Sequence, residues 1–268
     1  MTPSRDKPAR DLIDFYLEAG VDAALGEQPV DRFAAATAPA PPVRSPQPAM
    51  PAPDLAIKSR AAPVVPAVPE EAAMAARAAA KAAQSLDELR AILDKFDGCA
   101  LKATATRLVF ADGNPQAKVM FVGEAPGRDE DIEGLPFVGR SGKLLDRMLA
   151  AIGLDRTSVY IANIVPWRPP GNRTPTPQES QICLPFVMRQ IELADPDILV
   201  CLGGPSTQTL LGIKEGITKA RGRWVTFNTG KREIRAMATF HPAFLLRSPL
   251  QKRLAWRDFL ALKKALAG

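Results

Sequence analysis

The chain is poor in the residues that most often reveal a function. It has one histidine, His241, and three cysteines, Cys99, Cys183 and Cys201, among 268 residues. No pattern of metal ligands can be assembled from so few, and no metal site is expected. The cysteines are expected to be reduced thiols, because nothing marks the chain for an oxidising compartment. No apolar run is long enough to cross a bilayer, and no secretory apolar segment follows Met1, so a cytoplasmic protein with no membrane contact is expected. Nucleotide loops are missing too. The stretch Gly139-Arg140-Ser141-Gly142-Lys143 has the air of a phosphate loop, but that pattern needs Gly five residues before Gly142 and Ser or Thr after Lys143. Phe137 and Leu144 stand there instead. No G-x-G-x-x-G dinucleotide fingerprint fits either.

What the chain has in excess is proline, 26 in all, ten of them between Pro39 and Pro69. Such a stretch reads as an extended linker, since Pro-rich backbone supplies neither ladder hydrogen bonds nor helix. Residues 1–38 before it form an N-terminal arm, with one short amphipathic helix over Asp11 to Leu25. Such an arm can be frayed or can dock a protein partner. Residues 39–84 are the linker, helical at the Ala-rich end from Glu70 to Ala83. The folded domain is placed at residues 85–268, because Ser85 and Glu88 make a capping box ahead of Leu89, Ile92 and Leu93 at helical spacing. Charge is also divided unevenly along the chain. Residues 1–94 hold ten Lys/Arg against thirteen Asp/Glu, whereas 95–268 hold twenty-five against sixteen. A basic globular part fits a polyanionic partner.

From Ser85 onward strands and helices alternate. Apolar runs at Lys118–Val122, Val159–Val165, Ile198–Leu202 and Ala236–Phe240 read as strands. Helices are expected after Ser141, from Thr176-Pro177-Gln178-Glu179, and from Gln251 to Ala267. This order gives an α/β fold with a mostly parallel sheet covered on both faces. Ligands gather beyond the carboxyl ends of such strands. The informative polar residues fall there: Glu124 after the first strand, Asn163 near the end of the second, and His241 after the fourth.

Three segments carry them. The first runs from Gly123-Glu124-Ala125-Pro126-Gly127 through Glu130 to Phe137. The second runs from Asn163 through Trp167 and Arg168 to Pro175. The third is Phe240-His241-Pro242-Ala243-Phe244-Leu245-Leu246-Arg247. A lone histidine or a strand-end asparagine is more often structural than functional. Both at one sheet edge, with Glu124 and a proline-pinned Phe137, point to a site.

At these residues the chain resembles the uracil-DNA glycosylase superfamily, and within it the iron–sulfur family often called the fourth. The resemblance runs from about Phe96 to the C-terminus. It implies a three-layer α/β/α fold on a central four-stranded, mostly parallel sheet, and a monofunctional hydrolase of base excision repair. Such an enzyme flips uracil from single- or double-stranded DNA and leaves an abasic site. It implies catalytic roles for Glu124, His241 and Glu130, and substrate contacts from Gly123, Ala125, Pro126, Gly127, Phe137 and Asn163. Arg140, Arg168, Leu245, Leu246, Arg247, Lys252 and Arg253 would meet DNA. A monomer is expected. The alternatives are a glycosylase of the same fold for hypoxanthine, xanthine or mismatched thymine, or a DNA-binding module without catalysis.

The family pattern carries four cysteines that hold the cluster. Cys99 and Cys183 match two of those positions, while Phe96 and Trp167 occupy the others. Two thiolates fall short of Cys₄ ligation, so no iron–sulfur cluster or other cofactor is expected. The insertion Lys-Arg-Arg-Ile-His of relatives that trap uracil covalently is missing after Asn163, so turnover is expected.

Overall fold

The computed structural model of the protein describes residues 69–267. The arm over 1–38 and most of the linker, 39–68, lie outside the described residues.

Two helices lead into the sheet, α1 (Pro69–Ala82) and α2 (Leu86–Lys95). The Ser85 hydroxyl accepts the Glu88 amide at the start of α2, which is half of the expected capping box; the Glu88 carboxylate reaches back to the Gln84 amide instead of that of Ser85. The core strands are β2 (Val119–Gly123), β3 (Tyr160–Asn163), β4 (Ile198–Leu202) and β6 (Glu233–Thr239), preceded by the two-residue β1 (Asp112–Gly113). A further strand, β5 (Trp224–Asn228), precedes β6 in the chain. The sheet order is β1-β3-β2-β4-β6-β5. The four middle strands are parallel, and the two edge strands pair antiparallel. The sheet therefore has six strands rather than four. Both additions are edges: β1 pairs through a dipeptide too short to leave a pattern, and β5 is mostly polar or half-exposed.

Alternation along each strand builds two cores. Met120, Val122, Tyr160, Ala162, Leu199, Cys201 and Ala236 face one side. There they meet α1, α2 and α5 (Pro177–Ala194). Val119, Phe121, Ile161, Ile198, Val200 and Met237 face the other, against α4 (Arg140–Ala151) and α9 (Lys252–Leu266). The layers are thus α/β/α. Ala72, Ala76, Ala80 and Ala83 are buried in the first core. The helical end of the segment read as linker is packed, because small side chains on one face let α1 lie close on α5.

Crossovers connect the strands. Between β2 and β3 run the short α3 (Arg128–Glu133) and α4. Between β4 and β6 lie α6 (Gly204–Leu211), α7 (Ile217–Ala220) and β5. After β6 come α8 (Pro242–Arg247) and α9. From β2 the chain steps to β3 on one side and later to β4 on the other. The order therefore reverses beside the carboxyl end of β2, where an open α/β sheet forms its crevice.

Candidate active site

A cavity of about 570 Å³ occupies that crevice. Its walls bring together Glu124 after β2, Asn163 ending β3, Gly203 after β4 and His241 after β6, with Phe137 from the loop ahead of α4. Ala125, Pro126 and Gly127 also line it. The sequence-derived grouping is thus spatial as well as sequential.

Two polar atoms in it lack partners. Glu124 Oε1 and Asn163 Oδ1 are buried without a hydrogen bond among the described residues. Burial leaves such atoms at a cost of about 1–3 kcal/mol each unless something else satisfies them. Burial also raises the Glu124 pKa above its ordinary value, because the charged form is deprived of water.

Phe137 is held unusually. It has φ +56°, a left-handed conformation that bulky residues rarely adopt. Its ring lies 5.4 Å from the His241 ring, tilted by 32°. Gly123 makes room for it, since a Cβ there would sit 2.7 Å from Phe137 Cζ and closer still to Asn163 Oδ1. Gly123 does not line the cavity; it works by being absent from the space that Phe137 and Asn163 fill.

His241 caps α8, its Nδ1 accepting the Ala243 amide at 3.1 Å. Burial first, and the charge of Arg247 second, pull its pKa down to about 4. The ring is therefore neutral at physiological pH. With Nδ1 accepting, the proton sits on Nε2, which leaves one N–H donor.

Glu130, expected among the catalytic groups, has a different part. Its Oε1 accepts the amides of Val138 and Gly139 and its Oε2 that of Gly127, each at 3.1 Å. Both oxygens are committed to backbone, so Glu130 ties the turn after β2 to the loop bearing Phe137. Leu245 is also corrected. It is 1% exposed and packs with Phe240 and Ala255, so it belongs to the core and not to the surface. Apolar residues that do reach the surface nearby include Leu246, at 36%, which the sequence already named, and Leu250, at 86%, which it did not.

A second hollow of about 440 Å³ adjoins the first, sharing Ser141, Asn172 and Arg247 and adding Arg128 and Arg140. Among the described residues Arg128, Arg140 and Arg247 carry no ion pair. Lys252 and Arg253 stand exposed at the start of α9. Arg168 donates to Asn172 Oδ1 at 2.7 Å and lies 3.9 Å from Asp131, so it braces its own loop at the rim.

This arrangement, an aromatic platform, an amide, a carboxylate and a neutral imidazole at one sheet edge flanked by arginines, suits a planar heterocycle presented on a polyanion. The chain belongs to the uracil-DNA glycosylase superfamily, whose model matches residues 110–260 and so spans every residue lining the cavity. Its similar relatives are more particular. A type-4 uracil-DNA glycosylase of Archaeoglobus fulgidus is 39% identical over 180 residues, covering 66% of this chain and 90% of that relative. The type-4 enzyme of Thermotoga maritima is 44% identical over 155 residues, 58% of this chain and 79% of its own. That of Saccharolobus solfataricus is 42% identical over 190 residues, 68% and 88% respectively.

These relatives overturn one expectation. The fourth family is the iron–sulfur one, so a cofactor-free chain is not what its kinship indicates. The residues at the family's cluster positions fit that group incompletely. Cys99 and Cys183 are buried with their Sγ atoms 3.9 Å apart. At the other two positions stand Phe96, whose ring meets Phe186 edge-on at 5.0 Å, and the buried Trp167. Cys201 lies within β4. These side chains offer two thiolates where a Cys₄ set needs four.

Proposed function

We propose that this protein excises uracil from DNA by hydrolysing its N-glycosidic bond, leaving an abasic site. The observation that carries the reading is the pair of orphaned oxygens, Glu124 Oε1 and Asn163 Oδ1, in one cavity with the Phe137 ring and the neutral His241. An uncharged ring with alternating donors and acceptors satisfies an amide, while water or a sugar cation satisfies the carboxylate.

Each residue then has a task. Flipping a nucleotide costs a few kcal/mol, offset in part when the base stacks on Phe137. The Asn163 amide donates to and accepts from the pyrimidine edge. As the bond lengthens, the sugar becomes oxocarbenium-like and uracil takes up negative charge. The His241 Nε2–H donates to the uracil oxygen where that charge collects, and a donor so placed is worth roughly 2.7–4 kcal/mol. A neutral donor needs no proton transfer to do this. Glu124 orients the attacking water and offsets the positive sugar; its raised pKa makes it a better base.

Arg128, Arg140 and Arg247 hold phosphates beside the mouth, with Lys252 and Arg253 further along the strand. Leu246 and Leu250, rather than Leu245, fill the space the base vacates. The protein acts as a monomer in the cytoplasm with the nucleoid, and residues 1–38 are available to a protein partner.

The test is direct. Oligonucleotides carrying a single uracil, single-stranded and duplex, are incubated with the protein and treated with alkali. Strand cleavage at uracil, and not in thymine controls, is expected; intact strands in both forms would defeat the reading.

A further inference from the structure

Phe137 is the one aromatic in the cavity with a strained backbone, and something must hold it there. Its own side chain does not suffice, since a phenyl ring gains nothing from positive φ. Gly142 contributes by omission: a Cβ there would occupy the Phe137 carbonyl. Glu130 holds the amides of Val138 and Gly139 just after it, and the restraint on the Phe137 carbonyl itself comes from Arg156, which follows α4 and lies outside every motif noted in the sequence.

Arg156 Nη2 donates to the Phe137 carbonyl, and Nη1 donates to that of Pro136 at 3.1 Å. The guanidinium is itself fixed from two sides. Nη1 pairs with Asp112 on the edge strand β1, and Nε with Asp146 of α4 at 2.8 Å. One planar fork thus ties the edge of the sheet, a helix and the two carbonyls of the Pro136-Phe137 turn. Lysine cannot reproduce this, because an ammonium is a single point of charge. The side chain is three-quarters shielded, so these bonds are not those of a free surface arginine.

We propose that Arg156 is the positioning residue for the aromatic platform, setting how far the Phe137 ring stands from His241 and hence where a flipped base comes to rest. The platform's role in catalysis rests on the uracil-excision reading; its placement by Arg156 does not. Displacement of a positioned group by about 1 Å can cost up to a hundredfold in rate.

His241 is the only histidine, so its imidazole protons are a unique reporter of the nearby Phe137 ring. Nuclear magnetic resonance spectra of the tag-free full chain are compared for wild type, Arg156→Gln, Phe137→Ala and the double variant, alongside single-turnover uracil release. Arg156→Gln is expected to move the His241 resonances in the direction that Phe137→Ala moves them. It should slow release roughly ten- to a hundredfold while binding of uracil-free DNA is unchanged. In the Phe137→Ala background it should add neither shift nor rate loss. Resonances that stay in place, or losses that add in the double variant, would overturn the proposal. If Arg156→Gln fails to fold, Arg156→Lys keeps the charge between Asp112 and Asp146 and is read the same way. Wild type that releases no uracil, with resonances moving as expected, would defeat the excision reading and leave the clamp standing.

Discussion

Imidazole chemistry in this chain comes down to one ring, and its protonation state decides what the site can do. Burial and the Arg247 charge favour neutral His241, with a pKa of about 4. In the unfolded chain the value returns to about 6.5. Between those values the unfolded state binds a proton that the folded state refuses, so this residue subtracts stability as pH falls through that window. Glu124 works with the opposite sign: burial raises its pKa, so its contribution is largest at low pH and fades as pH rises through the raised value. A proton titration of the single imidazole should show a midpoint near 4. Arg247→Gln should move it upward. A midpoint near 6.5 in wild type would mean a solvated ring and remove the neutral-donor argument. Asn163 is testable on different grounds. Asn163→Asp replaces a donor with a like charge beside the developing uracil anion, and release should fall by roughly a hundredfold. Comparable activity in the variant would take Asn163 out of base recognition.

At the scale of elements, the site depends on close approach between strand and loop. Gly123 ends β2 where the Phe137 ring and the Asn163 oxygen converge. Gly123→Ala should lower single-turnover release by roughly a hundredfold, because the ring and the amide must both give way. The cost in stability should be smaller, about 1–3 kcal/mol, measured by denaturant unfolding. The reverse pattern, unfolding with activity intact per folded molecule, would make Gly123 a purely structural residue. Some of this was legible in advance. The buried middle strands announce themselves as apolar runs; Ile198–Leu202 matches to the residue, and the Thr176–Glu179 capping box is present. The helix expected after Ser141 starts one residue before it, at Arg140, with Gly139 at its N-cap. Glu130 looked catalytic because its sequence neighbours are; only three dimensions reveal that both its oxygens face amides. Arg156 left no trace at all, since its partners lie ten, nineteen, twenty and forty-four residues away.

On the scale of the whole molecule, the open issue is where the folded body begins. Composition places that boundary near Ser85, because 39–84 reads as a linker that is helical only at its end. The packing of α1 argues for Pro69. Ala72, Ala76, Ala80 and Ala83 are each no more than 3% exposed, and the Ala83 carbonyl accepts Arg189 Nε at 3.0 Å and Nη2 at 2.6 Å. Removing α1 with Ala83 would expose the facing surface of α5 and leave Nε and Nη2 of a half-buried guanidinium without their acceptor, while its Nη1 keeps Glu192. A net loss of about 2–3 kcal/mol corresponds to a fall of about 5–10 °C in the melting temperature of a body this size. Deleting residues 1–68 is therefore expected to leave both melting temperature and uracil release as in the full chain, whereas deleting 1–84 should lower the first and spare the cavity residues themselves. Calorimetry on the two truncated proteins separates the cases. Equal melting temperatures for both would return the boundary to Ser85, and a loss of stability already on deleting 1–68 would place it earlier than Pro69.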